Sequence, residues 1–173
     1  MDLQVNVAQL LQELRGAVRE IVLDAPLLNH HLAEIGTVRG ELKFTRTDRG
    51  ILAVGPLKIS ISDACARCLR PIDYWVEVKV DDEFLPSVDV ETGRRLTYKG
   101  EADADTVSID KHHELDLTDT VREYRAAALP LAPLCKEDCE GICPQCGVDL
   151  NESTHDCEAE MDPRWDKLRE LLR

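Results

Sequence analysis

Through the middle of the chain, apolar residues recur at every second position. Val38, Gly40, Leu42 and Phe44 alternate with Arg39, Glu41 and Lys43. Leu57, Ile59 and Ile61 alternate with Lys58, Ser60 and Ser62. Further on, Ile72, Tyr74, Val76, Val78 and Val80 alternate with Asp73, Trp75, Glu77 and Lys79. A period of two places one set on a buried face and the other in water, which predicts β-strands. Asp48-Arg-Gly50 supplies a turn, and short connections favour antiparallel pairing. On the N-terminal side, apolar residues at 7, 10, 11 and 14 follow helical spacing over Val5–Leu14, ended by Gly16. Arg19–Leu23 reads as a short strand leading to Pro26. Residues 86–105 are polar, carry Pro86, Gly93 and Gly100, and predict a loop. Leu117, Val121, Tyr124 and Ala128 share one helical face, with Asp116 as N-cap and Pro130 and Pro133 beyond the end. Asp162-Pro163 opens a last helix whose stripe is Trp165, Leu168, Leu171 and Leu172. The pattern predicts an α+β fold built on an antiparallel β-sheet, open or barrel-like, with flanking helices.

The cysteines add chemistry. Cys65-Ala-Arg-Cys68 falls between two predicted strands. Cys135-Lys-Glu-Asp-Cys139 and Cys143-Pro-Gln-Cys146-Gly147 come later, then His155 and Cys157. Two residues between thiolates at a tight turn let both sulfurs reach one zinc ion at about 2.3 Å, and Pro144 and Gly147 suit such a turn. Eight candidate ligands match two tetrahedral sites. The preferred arrangement joins Cys65 and Cys68 to Cys135 and Cys139, and Cys143 and Cys146 to His155 and Cys157. The alternative is one site made of Cys135, Cys139, Cys143 and Cys146, with the 65/68 pair left over. A redox Cys-x-x-Cys is disfavoured because that motif opens a helix in a βαβ setting, whereas strand–turn–strand is expected here. Two unligated buried thiols are the plain alternative. Four thiolates close the coordination sphere, so the chemistry expected is structural. Pairing 65/68 with 135/139 would also clamp the sheet to the C-terminal segment. His112-His-Glu114 followed by Cys143-x-x-Cys146 partly matches the zinc deaminase pattern, but Pro144 lies inside the pair instead of before it. His112 and His113 are expected in an exposed loop. The domain division expected is 1–130 for the α+β core and 131–173 for a zinc-binding segment and C-terminal helix packed on it.

Charge narrows the partners. The net charge is −13, and it is uneven. Residues 1–100 hold 13 basic and 15 acidic side chains, whereas 101–173 hold 8 and 19. An acidic C-terminal part repels phosphate backbones, so any RNA contact is expected from local basic groups in the first hundred residues. No apolar run reaches 18 residues, and Met1–Val5 lacks the basic start of a secretory signal. A cytoplasmic protein with reduced thiols is therefore expected, without a membrane or small-molecule substrate. No phosphate-cradling loop, nucleophile elbow or clustered Mg²⁺ carboxylates stand out, so no enzyme is expected.

Several segments together resemble the YceD family, the large ribosomal RNA subunit accumulation proteins. They are Asn6-Val-Ala-Gln-Leu-Leu11, Cys65-Ala-Arg-Cys68-Leu69, Ala127-Ala-Leu-Pro130-Leu131, the run Leu134–Asn151 with its four cysteines, and Asp162-Pro163-Arg-Trp-Asp-Lys-Leu168. The resemblance spans nearly the whole length. It implies a role in accumulation or processing of large-subunit ribosomal RNA, without catalysis, and one or two zinc ions. Many long-form members carry Cys where this chain has His155, which makes the second site Cys₃His. The resemblance and the acidic charge together leave two alternative partners. One is a large-subunit rRNA precursor, met through Arg39, Lys43, Lys58, Arg67 and Arg70 with Trp75 as a stacking residue. The other is a basic ribosomal protein docked or chaperoned by the acidic C-terminal part.

Overall fold

The computed structural model describes residues 3–31, 33–98 and 107–152. Seven strands and two helices follow one another: β1 (Gln4–Asn6), α1 (Ala8–Gln12), β2 (Val18–Leu28), β3 (Glu34–Arg46), β4 (Ile51–Ala64), β5 (Pro71–Pro86), β6 (Val107–Ile109), β7 (Glu114–Asp116) and α2 (Thr118–Ala128). The strands form one sheet in the order β1-β7-β6-β5-β4-β3-β2. The sheet is open, with β1 and β2 at its edges, which corrects the barrel-like option. Pro26 lies in edge strand β2, where a missing N–H removes no interior ladder bond.

The predicted alternation is what buries the sheet. Val38, Leu42 and Phe44 of β3 and Leu57, Ile59 and Ile61 of β4 are buried, as are Val78 and Val80 of β5. Their polar neighbours Arg39, Lys43, Lys58 and Lys79 face water. β4 starts at Ile51, six residues before the expected strand, and buries Ile51 and Ala53. Its register with β3 is the same on both sides of Gly55–Pro56 (Gly40↔Leu57, Lys43↔Val54), with the ladder interrupted where Pro56 has no N–H to donate. Gly50 closes the Thr47–Gly50 turn, donating to the Thr47 hydroxyl at 2.9 Å. A Cβ there would stand 2.0 Å from the Phe84 carbonyl oxygen.

Three elements differ from expectation. Helix α1 has only five residues, and Leu14, expected on its apolar stripe, is 88% exposed. Beyond it, Gly16 N–H donates to the Arg46 carbonyl (2.8 Å), so the backbone pairs with the end of β3 instead of continuing the helix. Residues 4–6 form a strand paired with β7 (Val5↔Leu115), a partner more than a hundred residues away. The third is β6, which joins β5 in parallel (Leu85↔Val107), so the sheet is mostly rather than wholly antiparallel. Within the expected loop, 87–98 is ordered around Asp89, whose carboxylate accepts the Thr92 N–H (2.8 Å) and hydroxyl (2.7 Å). Residues 99–106 lie outside the described part.

On α2, Val121 is buried and Tyr124 and Ala128 pack against the core with it, as the periodicity predicts. Thr118, the first helical residue, donates its N–H to the Asp116 carboxylate at 2.8 Å. Leu10 and Leu11 of α1 join the same core. The predicted helix from Asp162 lies outside the described residues.

By compactness the chain divides into two units. One comprises Met1–Ser62 and Asp73–Leu131, the other Asp63–Ile72 and Ala132–Arg173. Residues 63–72 thus group with the C-terminal segment.

Candidate metal centre

All the cysteines that the structure describes lie in the second unit. The first pair sits on a turn just after β4. Cys65 N–H donates to the Arg70 carbonyl (2.8 Å), and Leu69 N–H returns to the Cys65 carbonyl (2.9 Å). Closing the turn requires a left-handed backbone at Leu69 (φ +59°), an unusual conformation for leucine, and its side chain is 65% exposed. Ala66 N–H then donates to the Pro133 carbonyl (2.8 Å), which brings the Cys135–Cys139 stretch alongside.

The result is a four-thiol cluster. The sulfurs of Cys65, Cys68, Cys135 and Cys139 all lie within 4.8 Å of one another. Cys65 and Cys139 are 3.8 Å apart, Cys68 and Cys135 3.6 Å. A tetrahedron with zinc–sulfur bonds of about 2.3 Å has sulfurs about 3.8 Å apart. The donor set therefore fits a metal ion such as zinc with little rearrangement. Cys65, Cys68 and Cys139 are buried and Ile72, Leu134 and Ile142 pack against them, while Cys135 is at the surface.

Electrostatics agrees with that fit. The N–H of Cys68 is the main influence lowering the Cys65 thiol to about 6. Desolvation of the sulfur, with the Cys139, Cys68 and Cys65 thiols beside it, pushes Cys135 up to about 12, although the residue as a whole is exposed. At Cys68 the Arg70 N–H favours the thiolate, but burial and Cys65 outweigh it and the net shift is upward. Four neighbouring thiolates repel one another, and a divalent cation removes that repulsion. Around the sulfurs, Asn151 Nδ2 donates to Cys139 Sγ (3.5 Å) and Arg67 Nη1 to the Cys139 carbonyl (2.7 Å). Asn151 Oδ1 in turn accepts the Glu140 N–H at 3.0 Å. Such outer partners orient metal ligands. Asn151 was not singled out from sequence. The Asp149-x-Asn151 pair, in which Asp149 Oδ1 accepts Asn151 N–H at 2.8 Å, was the available signal.

Cys143-Pro-Gln-Cys146-Gly147 repeats the first turn bond for bond. Cys143 N–H donates to the Val148 carbonyl (2.8 Å) and Gly147 N–H to the Cys143 carbonyl (2.9 Å). Gly147 stands at φ +75° where Leu69 stands in the first. The two Cys-x-x-Cys turns share one backbone. The structure groups Cys135 and Cys139 with Cys65 and Cys68, not with Cys143 and Cys146. His155 and Cys157, the remaining expected ligands, lie outside the described residues.

The candidate RNA-contacting residues fall into two sets. On the water-facing side of the sheet, Arg39 stands opposite Lys58 in the β3–β4 register, and Lys43 is four residues further along β3. The Arg39 guanidinium lies 5.6 Å from the ring centre of Trp75, which is 50% exposed, and also pairs with Asp24 (3.2 Å). In the second unit, Arg67 is taken up by Cys139. Arg70 binds Asp149 through Nε (3.0 Å) and Nη2 (2.8 Å) and also reaches Glu152, so its charge is largely neutralised. His112 and Glu114 belong to the β6–β7 turn, where both N–H groups donate to Asp110, and no metal-competent group among the described residues includes them.

A mostly antiparallel α+β sheet and a separate four-cysteine cluster able to hold a metal ion define the class of protein. Residues 54–172 match the model of the "Large ribosomal RNA subunit accumulation protein YceD" family, and the chain belongs to that family. Its name ties the family to large-subunit ribosomal RNA. Uncharacterized proteins of Mycobacterium tuberculosis and Mycobacterium bovis are 30% identical over 137 residues, 76% of this chain and 60% of theirs. A Mycobacterium leprae relative, also uncharacterized, is 25% identical over 132 residues, 76% of this chain and 58% of its own. The chain therefore spans about three-fifths of the length of these relatives. No solved structure matches. No helix among the described residues is long and apolar enough to cross a membrane.

Proposed function

We propose that this chain is a zinc-stabilised, non-enzymatic accessory factor in accumulation and processing of large-subunit ribosomal RNA, acting in the cytoplasm during ribosome biogenesis. The four sulfurs at tetrahedral spacing carry the zinc part of the reading, and family membership carries the ribosomal part. Cys65, Cys68, Cys135 and Cys139 hold one structural ion, because an all-thiolate set leaves no open position for chemistry. The shared backbone of the two turns supports Cys143 and Cys146 as half of a second zinc site, completed by His155 and Cys157.

Zinc per chain, measured by elemental analysis on wild type and on Cys65→Ser/Cys68→Ser, tests the metal assignment. Two ions falling to one is expected, whereas one ion unaffected by the substitution would overturn it. In cells, the double variant should lower large-subunit rRNA relative to small-subunit rRNA. An unchanged ratio sinks the ribosomal role.

A second reading rests on charge. Residues 101–173 hold 8 basic and 19 acidic side chains, an acidic excess that would attract a basic ribosomal protein. In that case the purified chain has no affinity for RNA until the basic partner is added.

A further inference from the structure

β2 is the longer of the two edge strands, and hydrogen bonds at its two ends fix which of its backbone groups face outward. Arg46 N–H donates to the Ala17 carbonyl (2.8 Å), and Val18 follows opposite Thr45. Thr37, opposite Pro26, sends its N–H the other way, to Ser60 Oγ on β4 (2.7 Å). Backbone groups alternate sides along a strand, and the register is unbroken from Val18 to Leu27. Both bonds impose the same alternation. Arg19, Ile21, Leu23 and Ala25 bond to β3, whereas Val18, Glu20, Val22 and Asp24 turn their N–H and carbonyl groups away from it. Beyond this stretch, Arg122 Nε takes the Leu28 carbonyl (2.7 Å). No hydrogen bond among the described residues reaches the outward groups of residues 18, 20, 22 and 24.

An unpaired edge of this kind is a template for another strand. The side chains on the outward row, Val18, Glu20, Val22 and Asp24, are all exposed, Val22 by 75%. The row carries two carboxylates and no cation. Lys43, opposite Glu20, and Arg39, paired with Asp24 (3.2 Å), belong to β3, on the side away from the edge. On the other face Leu23 is buried in the core and Ile21 packs against it, only partly covered. A strand added here would meet carboxylates on one face and the apolar margin of the core on the other. A second copy suits that edge poorly. Two-fold pairing centred on Val22 sets Glu20 against Asp24, pairing centred on Glu20 sets it against itself, and every register joins two chains of net charge −13. A segment in which basic and apolar residues alternate suits both faces.

We infer that β2 takes up an extended segment of a basic protein, bonded to the outward groups of Val18, Glu20, Val22 and Asp24. Its Lys or Arg side chains lie beside Glu20 and Asp24, and its apolar ones beside Ile21 and Leu23. This rests on the docking reading above for the partner's charge and names the backbone that receives it.

Amide hydrogen exchange of the full chain, with an alternating Lys-Val octapeptide at low salt, tests it. Without peptide, the Glu20 and Val22 amides should exchange fast and those of Ile21 and Leu23 slowly. The peptide should slow the first pair. N-methylation of its lysines, whose N–H groups would face β2, should abolish binding, and N-methylation of its valines should be tolerated. Val22→Pro removes an outward donor and no bond to β3, as native Pro26 does, and should weaken binding about tenfold with Ile21 and Leu23 still protected. The methylated peptides decide the matter however that variant folds. Equal binding of both methylated peptides would overturn strand addition and leave charge-driven docking standing. Equal binding of a Thr-Val peptide would overturn the basic partner and, with it, the docking reading. Glu20 and Val22 amides already slow in the free chain would overturn an open edge, and a dependence of that protection on protein concentration would identify a second copy as the occupant. No binding of the Lys-Val peptide would overturn the inference.

Discussion

Removal of zinc should unfold the second unit and spare the sheet. Among the described residues, the apolar support around the four thiols consists of Ile72, Leu134 and Ile142, all only partly buried. Fully burying an aliphatic side chain contributes about 1.5–3 kcal/mol, so these three together fall below that per-residue scale times three. Structural zinc in small domains contributes on the order of 10–16 kcal/mol near neutral pH. Sulfur separations of 3.6 and 3.8 Å, against about 3.8 Å for an ideal site, mean that little of this is lost to rearrangement. The metal thus outweighs the apolar contacts around the thiols among the described residues. The sheet differs, because Phe44, Leu42, Ile51, Leu57 and Ile59 bury one another without any ligand. A strong chelator followed by amide hydrogen exchange reads both units at once. Protection of the Cys65 and Leu69 N–H groups, which close the first turn, should vanish, while β3 and β4 amides stay protected. Turn amides still protected after stoichiometric zinc loss would refute the argument that the ion holds this unit together.

The paired turns make a reciprocal prediction: Leu69→Gly should be neutral to stabilising by up to about 1 kcal/mol, whereas Gly147→Leu should cost about 1–2 kcal/mol, because a left-handed residue carries that penalty unless it is glycine. Zinc-competition titrations should show this opposite ordering. In the sheet, Leu57→Ala should cost about 2–5 kcal/mol, read as a lower urea midpoint, with zinc per chain unchanged. Asp110 gives a pH dependence. The Glu114 N–H, and then the His112 N–H, hold its carboxyl below the ordinary range against some burial. Its contribution is therefore fully present above the unfolded value near 3.9, and it is lost as pH falls through the depressed one. The protection factor of the Glu114 amide, its exchange relative to an unstructured amide at the same pH, should fall on acidification below about pH 4 in wild type but show no such step in Asp110→Ala.

Much of this was legible in the chain because it is local. Alternation at 38–44, 57–61 and 72–80 marks the faces that the sheet buries, since side chains two apart share a face whatever the partner strand. The helix after Asp116 was equally plain. Gln4-Val-Asn6 was not, because three residues carry no periodicity and become a strand only by pairing with β7. The helical spacing at 7, 10, 11 and 14 overran α1, because Gly16 and Arg46 exchange a backbone bond that nothing nearby in sequence announces.

The cysteine spacing alone established that pairs of thiols could share an ion, because a two-residue gap sets the reach of both sulfurs. Which pairs meet was a tertiary decision. Ala66 bonded to Pro133 and Arg67 bonded to Cys139 place the 135/139 pair at 65/68, with about seventy residues between them. The same holds for charge. Arg70 reads as an available cation until Asp149 and Glu152 are brought to it. Residue chemistry is a property of each side chain, but whether a charge is spent or offered depends on neighbours that only the folded chain supplies.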